Sequence, residues 1–215
     1  MKNKKNYIAS LVVIGCLVVG VGIENKVFEK NDVKRVPIHT VGASYDLNID
    51  NPLEVVGDSD YVFVGKVSKN TGTRYENPVP IEISTGEVKY IGEAYTQYEV
   101  EVISNIKNDL VINKPIKIEK LGGIREDGSA YDVLEEDVLP EVGKTYVFVA
   151  YAQPDGSLLV SGANSNIEFD ESSKELQNDK LLENTEEYKQ YEDAVKNEIV
   201  PIDKVEMESR YDDSK

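Results

Sequence analysis

Tryptophan is absent from these 215 residues, and histidine and cysteine occur once each, as His39 and Cys16. A zinc centre draws its three or four ligands mainly from His and Cys, so none can be assembled. The single histidine stands beside Pro37 in a polar stretch outside the expected core, which leaves a histidine general base or triad without a place to work. No cysteine follows Cys16, so the rest of the chain has no internal disulfide and must be stabilised by packing. The missing tryptophan removes the commonest sugar-stacking platform, although tyrosine can substitute. A phosphate loop is also missing: "KLGGIRED" (Lys120–Asp127) lacks the Gly-Lys-Ser/Thr ending and reads as a strand-terminating turn or bulge. No cofactor is implied.

Positive charge is scarce as well. Lys and Arg number 24 against 40 Asp and Glu, a formal net charge of -16. A polyanion repels phosphate backbones, so nucleic acid is excluded as a partner. With 40 carboxylates, some pair will always stand at glycosidase spacing by chance, and a carboxylate-based hydrolase gains no support from their number. The apolar share, 40%, is enough for one packed domain with solvated ends.

The longest uncharged run is at the N-terminus. Lys2, Lys4 and Lys5 precede Tyr7 to Ile23, and Glu24 restores charge. A basic end followed by an apolar stretch near the lower limit of about 17 residues for a spanning helix is an export signal, so the remainder is expected outside the cell membrane. Three fates are open for this leader: retention as a single-pass anchor, removal after the small residues Gly20 and Gly22, or lipidation at Cys16 in "VIGC". Apolar "LVVGVGI" follows that cysteine, where a lipoprotein would turn polar, which favours a buried membrane thiol.

The segments then run as follows: 1–23 signal or anchor, 24–44 spacer, 45–169 β domain, 170–200 helical segment, 201–215 disordered acidic tail. "NIDNPLEVVGD" predicts a short helix, with Asn51 as N-cap, Pro52 in the first turn, Glu54 in the capping-box position and Gly57 ending it. "YVFVGKVSK" is a β-rich run, and Thr71 to Gly92 reads as an insertion whose "VPIEIS" forms an outlying hairpin. From Tyr98 the period of two in "YEVEV" marks a half-buried strand, and Ile116 and Ile118 continue the rule in the next. Pro154-Asp155-Gly156 predicts a hairpin joining "KTYVFVAYA" to "SLLVSG". Near the end, Asn184 as N-cap and Tyr188, Tyr191, Val195 and Ile199 at helical spacing predict an amphipathic helix closed by Pro201.

Tyr-Val-Phe-Val occurs twice, at Tyr61 and Tyr146, but the flanks do not match, so it is not a duplicated module. Both copies read as central strands covered on more than one side. The order "SDYVFVGKV", "YTQYEVEVISNIKND", "IKIEKLGG", "EVGKTYVFVAY" resembles the OB-fold domain of netrin-like and tissue-inhibitor-of-metalloproteinase-like proteins, in particular bacterial surface proteins, over Ser59 to Ser165. The resemblance implies a mainly β fold, an OB-like Greek-key barrel, here with a short preceding helix and a C-terminal amphipathic helix. Protease inhibition as in the animal members is not carried over. That mechanism needs an N-terminal cysteine on the protease zinc, and no residue after Cys16 can supply one.

Candidate sites are few. Asp46, Asn48 and Asp50 begin like an EF-hand loop, but Asn51 stands where Gly is required and Gly57 where a bidentate Glu belongs, so they read as a polar lead-in to the helix. Glu135, Glu136 and Asp137 form an acidic run before a central strand, a solvated loop with a weak cation site as its functional alternative. "LPEVG" (Leu139–Gly143) lacks the Thr of a sorting signal and reads as a turn. Tyrosine outnumbers phenylalanine 13 to 4, and Tyr75, Tyr90, Tyr95 and Tyr131 in or near loops are candidate interaction residues. The expected role is a non-enzymatic cell-surface interaction module whose partner is an extracellular protein or wall polymer. An inhibitor acting by loop occlusion and a carboxylate hydrolase are the alternatives.

Overall fold

The two Tyr-Val-Phe-Val runs lie side by side. In a computed structural model that describes residues 36–82, 85–112, 114–169 and 182–214, they belong to strands β2 (Tyr61–Glu82) and β7 (Thr145–Ala152), paired antiparallel with Phe63 opposite Phe148. Alternation along each strand sends Tyr61, Phe63, Tyr146, Phe148 and Ala150 into one core and Val62, Val64, Val147 and Val149 into another on the opposite face. Burial on both faces is why the runs are continuously apolar. The two phenylalanine rings stack at 5.4 Å between centroids, and Gly65 opposite Tyr146 leaves room for them: a Cβ there would stand 2.5 Å from Val100.

The chain is mainly β. β1 (Ile38–Val41) and helix α1 (Pro52–Asp58) precede β2; then follow β3 (Val88–Lys107), β4 (Ile116–Leu121), β5 (Gly123–Ile124), β6 (Tyr131–Leu134), β7, β8 (Leu158–Val160), β9 (Asn166–Glu168) and helix α2 (Glu186–Lys196). One sheet has the order β2-β3-β4-β8-β7-β9, with β2 also paired to β7 and with β4 and β8 parallel. A smaller sheet has the order β1-β6-β5. The first core lies among β2, β3, β4, β7 and β8, and the second lies under the helices, where Val55 and Val56 of α1 meet Tyr188, Tyr191 and Ala194 of α2.

Local signals were read correctly where their partners are near in sequence. Asn51 caps α1, accepting from the Leu53 amide at 3.2 Å, and Glu54 reaches back to the Asn48 amide at 2.9 Å. The Pro154-Asp155-Gly156 turn joins β7 to β8, with Gly156 at φ 79° and the Gln153 amide bonded to Ser157 at 2.9 Å. Gly57 has a different task from the expected one. It lies inside α1, buried, where a Cβ would meet the Ile199 carbonyl oxygen at 2.0 Å, so it admits a close approach rather than ending the helix. The N-cap of α2 is Thr185, not Asn184; its hydroxyl accepts from the Tyr188 amide at 3.3 Å.

Three boundaries differ from the sequence reading because their partners are remote. Residues 71–92 are not an insertion but the outer length of one hairpin: β2 and β3 pair from Val62↔Lys107 to Glu82↔Val88. A register shift between Glu76 and Val79, with Asn77 at φ 49°, takes up Pro78, which cannot donate to a ladder. Part of the expected spacer is β1, parallel to β6 some 90 residues on (Ile38↔Tyr131), an exposed edge with no inward alternation to betray it. The tail is docked. Ser209 is buried, its amide donates to the Tyr61 hydroxyl at 2.9 Å, and the Val111 amide donates to the Tyr211 carbonyl at 3.0 Å.

The leader over 1–23, with Cys16, lies outside the described residues, as do residues 24–35 and 170–181. Among the described residues no helix is long and apolar enough to cross a membrane.

Candidate functional site

Beyond the core the β2–β3 hairpin continues as a two-stranded arm. Arg74 braces its root. The guanidinium holds both oxygens of Glu119 on β4, with Nε to Oε1 at 2.7 Å, contacts Glu76, and lies 4.4 Å over the Tyr95 ring. These hydrogen bonds hold the Glu119 carboxyl below its ordinary pKa against the opposing effect of burial.

The four candidate tyrosines do not form one patch. The hydroxyl of Tyr75 donates to the Ile124 carbonyl at 3.0 Å, and Tyr131 pairs with Ile124 across β5–β6, so these two support the small sheet. Tyr95 pairs with Arg74 and Tyr75 with Ala94, which puts Tyr75 and Tyr95 on opposite faces of the arm. Tyr90 alone projects, 67% exposed, with the exposed Val88 two residues away on the same face of β3.

Tyr90, with Lys89 and Ile91, forms one wall of an open cleft of about 300 Å³; Arg125, Glu126 and Asp127 from the β5–β6 turn form the other. Arg125 is fixed by two 2.9 Å bonds from Nε to Asp132 and reaches His39 Nδ1 at 3.0 Å. Burial pushes the Asp132 carboxyl up, but Arg125 and then His39 outweigh it and leave the group below its ordinary pKa. The backbone beside this cleft is open. The Thr96 amide and the Ala94 carbonyl point outward to Gly122, at 3.1 and 2.8 Å. Alternation turns the polar groups of Gly92, Tyr90 and Val88 the same way, and among the described residues no strand pairs with that edge.

The acidic run does not converge. Glu135 and Glu136 are exposed, whereas the Asp137 side chain is 2% exposed and receives the ammonium of fully buried Lys120 at 2.6 Å. Lys120 Nζ also donates to Ser165 Oγ at 2.7 Å and lies 3.3 Å from the Gly162 carbonyl. A tethered cation therefore occupies the carboxylate offered for a metal, and among the described residues no group of three or more His, Cys, Asp or Glu is placed to hold one. Sequence reasoning missed Lys120 and Ser165. The signal for Lys120 was present: it falls two residues after Ile118 and four after Ile116, on the inward parity of β4.

A second cavity, of about 360 Å³, is lined by Asp58, Asp60, Tyr151 and Asp203 together with Lys204. Asp58 and Asp60 are engaged in the fold. Asp60 Oδ2 accepts from the Ala152 amide at 2.9 Å with Lys204 4.0 Å from its other oxygen, and Asp58 faces the Tyr151 hydroxyl. Lys204 is itself directed to the Gly57 and Ser59 carbonyls, at 3.0 and 2.6 Å, tying the C-terminal segment to α1.

Asp46, Asn48 and Asp50 stay in the lead-in to α1, where the Asp50 amide donates to Asn48 at 3.1 Å. No family model matches the chain, and no curated protein matches it.

Proposed function

We propose that this chain is a non-enzymatic interaction module of the bacterial cell surface, presented outside the membrane or released from it, whose arm receives an extended segment of another exported protein. The arm carries the reading. Its β3 edge offers unpaired amides and carbonyls at Val88, Tyr90 and Gly92 beside a cleft with apolar and charged walls, the arrangement used when a partner adds a strand to a sheet. The β2 edge of the same arm carries Pro78 and Pro80, which lack amide donors, so strand addition is favoured on the β3 side.

The body beneath the arm is read as an OB-like Greek-key barrel, similar to the netrin-like domains. Support comes from the pairings: β2-β3-β4-β8-β7 return to β2, as a small closed or partly open barrel requires. The apolar N-terminal stretch behind three lysines supports export. Occlusion of an enzyme cleft would use the same arm, and is the reading to adopt if the captured partner is a hydrolase. A carboxylate hydrolase has less support, because Asp60 in the larger cavity is engaged by the Ala152 amide.

The test immobilises the full chain, wild type or with Val88→Ser and Tyr90→Ala, and exposes it to the surface and secreted fraction of the producing cell. Loss of the captured protein by about tenfold or more, roughly 1.4 kcal/mol, is expected for the arm variant. Equal capture, or retention of wall polymer alone, refutes strand addition on the arm.

A further inference from the structure

Lys120 and Asp137 are brought together by β4 and the loop after β6, outside the arm. The inward parity of β4 carries the Lys120 side chain into the interior, where its exposure is 0%, and the loop after β6 lays Asp137 against it with Nζ 2.6 Å from Oδ1. The Val138 amide donates to the same oxygen at 2.8 Å. The Gly162 amide is near enough to favour the charged carboxylate, yet among the described residues Oδ2 has no hydrogen-bond partner. Ser165 Oγ stands 2.7 Å from Nζ and donates to the Gly162 carbonyl at 2.5 Å.

A lone ion pair in a dry interior is costly, since both charges have left water and one carboxylate oxygen is left without a donor. Burial drives the Lys120 ammonium down to about 8 and the Asp137 carboxyl up, in both cases towards the neutral form, against the attraction between the two charges. Transfer of the proton that Nζ directs at Oδ1 across 2.6 Å would leave an amine beside a carboxylic acid. Those are the reactants of an amide. Fixed contact replaces a bimolecular encounter, and exclusion of water favours condensation over hydrolysis.

We propose that Lys120 and Asp137 condense into an intramolecular amide that staples β4 to the loop preceding β7. Nζ attacks Cγ of Asp137, a C–N bond forms, and the bond from Cγ to Oδ2 breaks. The ammonium gives up two of its three protons and the carboxylate one oxygen, which depart together as one water; nothing is oxidised or reduced. The Val138 amide holds the negative charge that gathers on Oδ1 in the tetrahedral intermediate. Ser165 Oγ, in contact with Nζ, is the group placed to pass a proton onward. The ring so closed encloses β5 and β6, hence the Arg125–Asp127 wall of the cleft, and provides the loop constraint that a chain without cysteine after Cys16 cannot obtain from a disulfide.

Intact mass spectrometry of the purified, denatured full chain, with its N-terminus identified by terminal sequencing, tests the proposal. Wild type is expected to be lighter than its sequence mass by one water, with fragmentation locating the loss at a branch between Lys120 and Asp137. Lys120→Met and Asp137→Ala are expected at their full sequence masses. Wild type at its full mass overturns the proposal. So does a water loss that persists in Lys120→Met, because the Asp127-Gly128 and Asp155-Gly156 turns can lose water by succinimide formation without the lysine.

Discussion

Replacing Phe148 by alanine tests the central packing relation of this fold. Phe148 has no exposed surface, stacks on Phe63 at 5.4 Å and tilts against Tyr146 at 5.5 Å. Deleting a buried phenylalanine side chain costs about 3–5 kcal/mol for lost transfer and the cavity left behind, and the ring contacts are part of that figure. We take about 4 kcal/mol, a large share of the roughly 5–15 kcal/mol that holds a domain folded. With a urea slope of about 2 kcal/mol/M, the unfolding midpoint falls by about 2 M while the slope is unchanged. Tyr90→Ala, on the exposed arm, moves the midpoint by less than about 0.3 M, as surface substitutions do. A double-mutant cycle adds the decisive reading. Phe63→Ala and Phe148→Ala are expected to be non-additive by about 0.5–1.5 kcal/mol, because each removes the other's stacking partner. A midpoint shift under about 0.5 M for Phe148→Ala, or strict additivity of the pair, refutes the placement of the two phenylalanines in one core.

Gly57→Ala would force its Cβ to 2.0 Å from the Ile199 carbonyl oxygen, so α1 or the segment after α2 must move; the cost is about 1–3 kcal/mol, read calorimetrically as a fall in Tm of about 2–4 °C per kcal/mol. Ending the chain after Glu206 removes both partners of the Tyr61 hydroxyl, the Ser209 amide and the Asp212 carboxylate, and should lower stability by about 1–3 kcal/mol in urea, where a solvated tail would give no change. Glu119 has a lowered carboxyl pKa, chiefly from its Arg74 hydrogen bonds, so the unfolded chain binds its proton more readily than the folded one. Its contribution is present above the ordinary glutamate pKa and lost as pH falls through the lowered folded value. Glu119→Gln is therefore expected to be less stable than wild type at neutral pH and equal to it in acid; a constant difference across that titration would refute the assignment.

How much was legible follows from the distance over which each signal acts. The Asn51 cap, the Pro154-Asp155-Gly156 turn and the alternation from Tyr98 to Val102 are local, and each appears where the sequence placed it. β1 was read as spacer because an exposed parallel edge against Tyr131–Leu134 needs no inward stripe. The arm was read as an insertion because Pro78 and Gly86 look like loop residues until a bulge and a hairpin end are seen to hold them. In sequence the acidic run reads as one cluster, yet strand and turn geometry exposes Glu135 and Glu136 and buries the Asp137 side chain. Tyr90 is a candidate from tyrosine abundance and its place near loops; its cleft wall from Arg125 to Asp127 lies about 35 residues away along the chain.

By itself the sequence determined the mainly β character, the two central strands and both described helices, because period and capping act within a few residues. Tertiary structure alone decided that Phe63 faces Phe148, that Lys120 meets Asp137, that the tail closes over Tyr61 and that no strand among the described residues pairs with the β3 edge of the arm. Those contacts join residues from 17 to 151 positions apart. No local pattern encodes such pairings; they arise only when burial of the alternating faces selects one register for the whole chain.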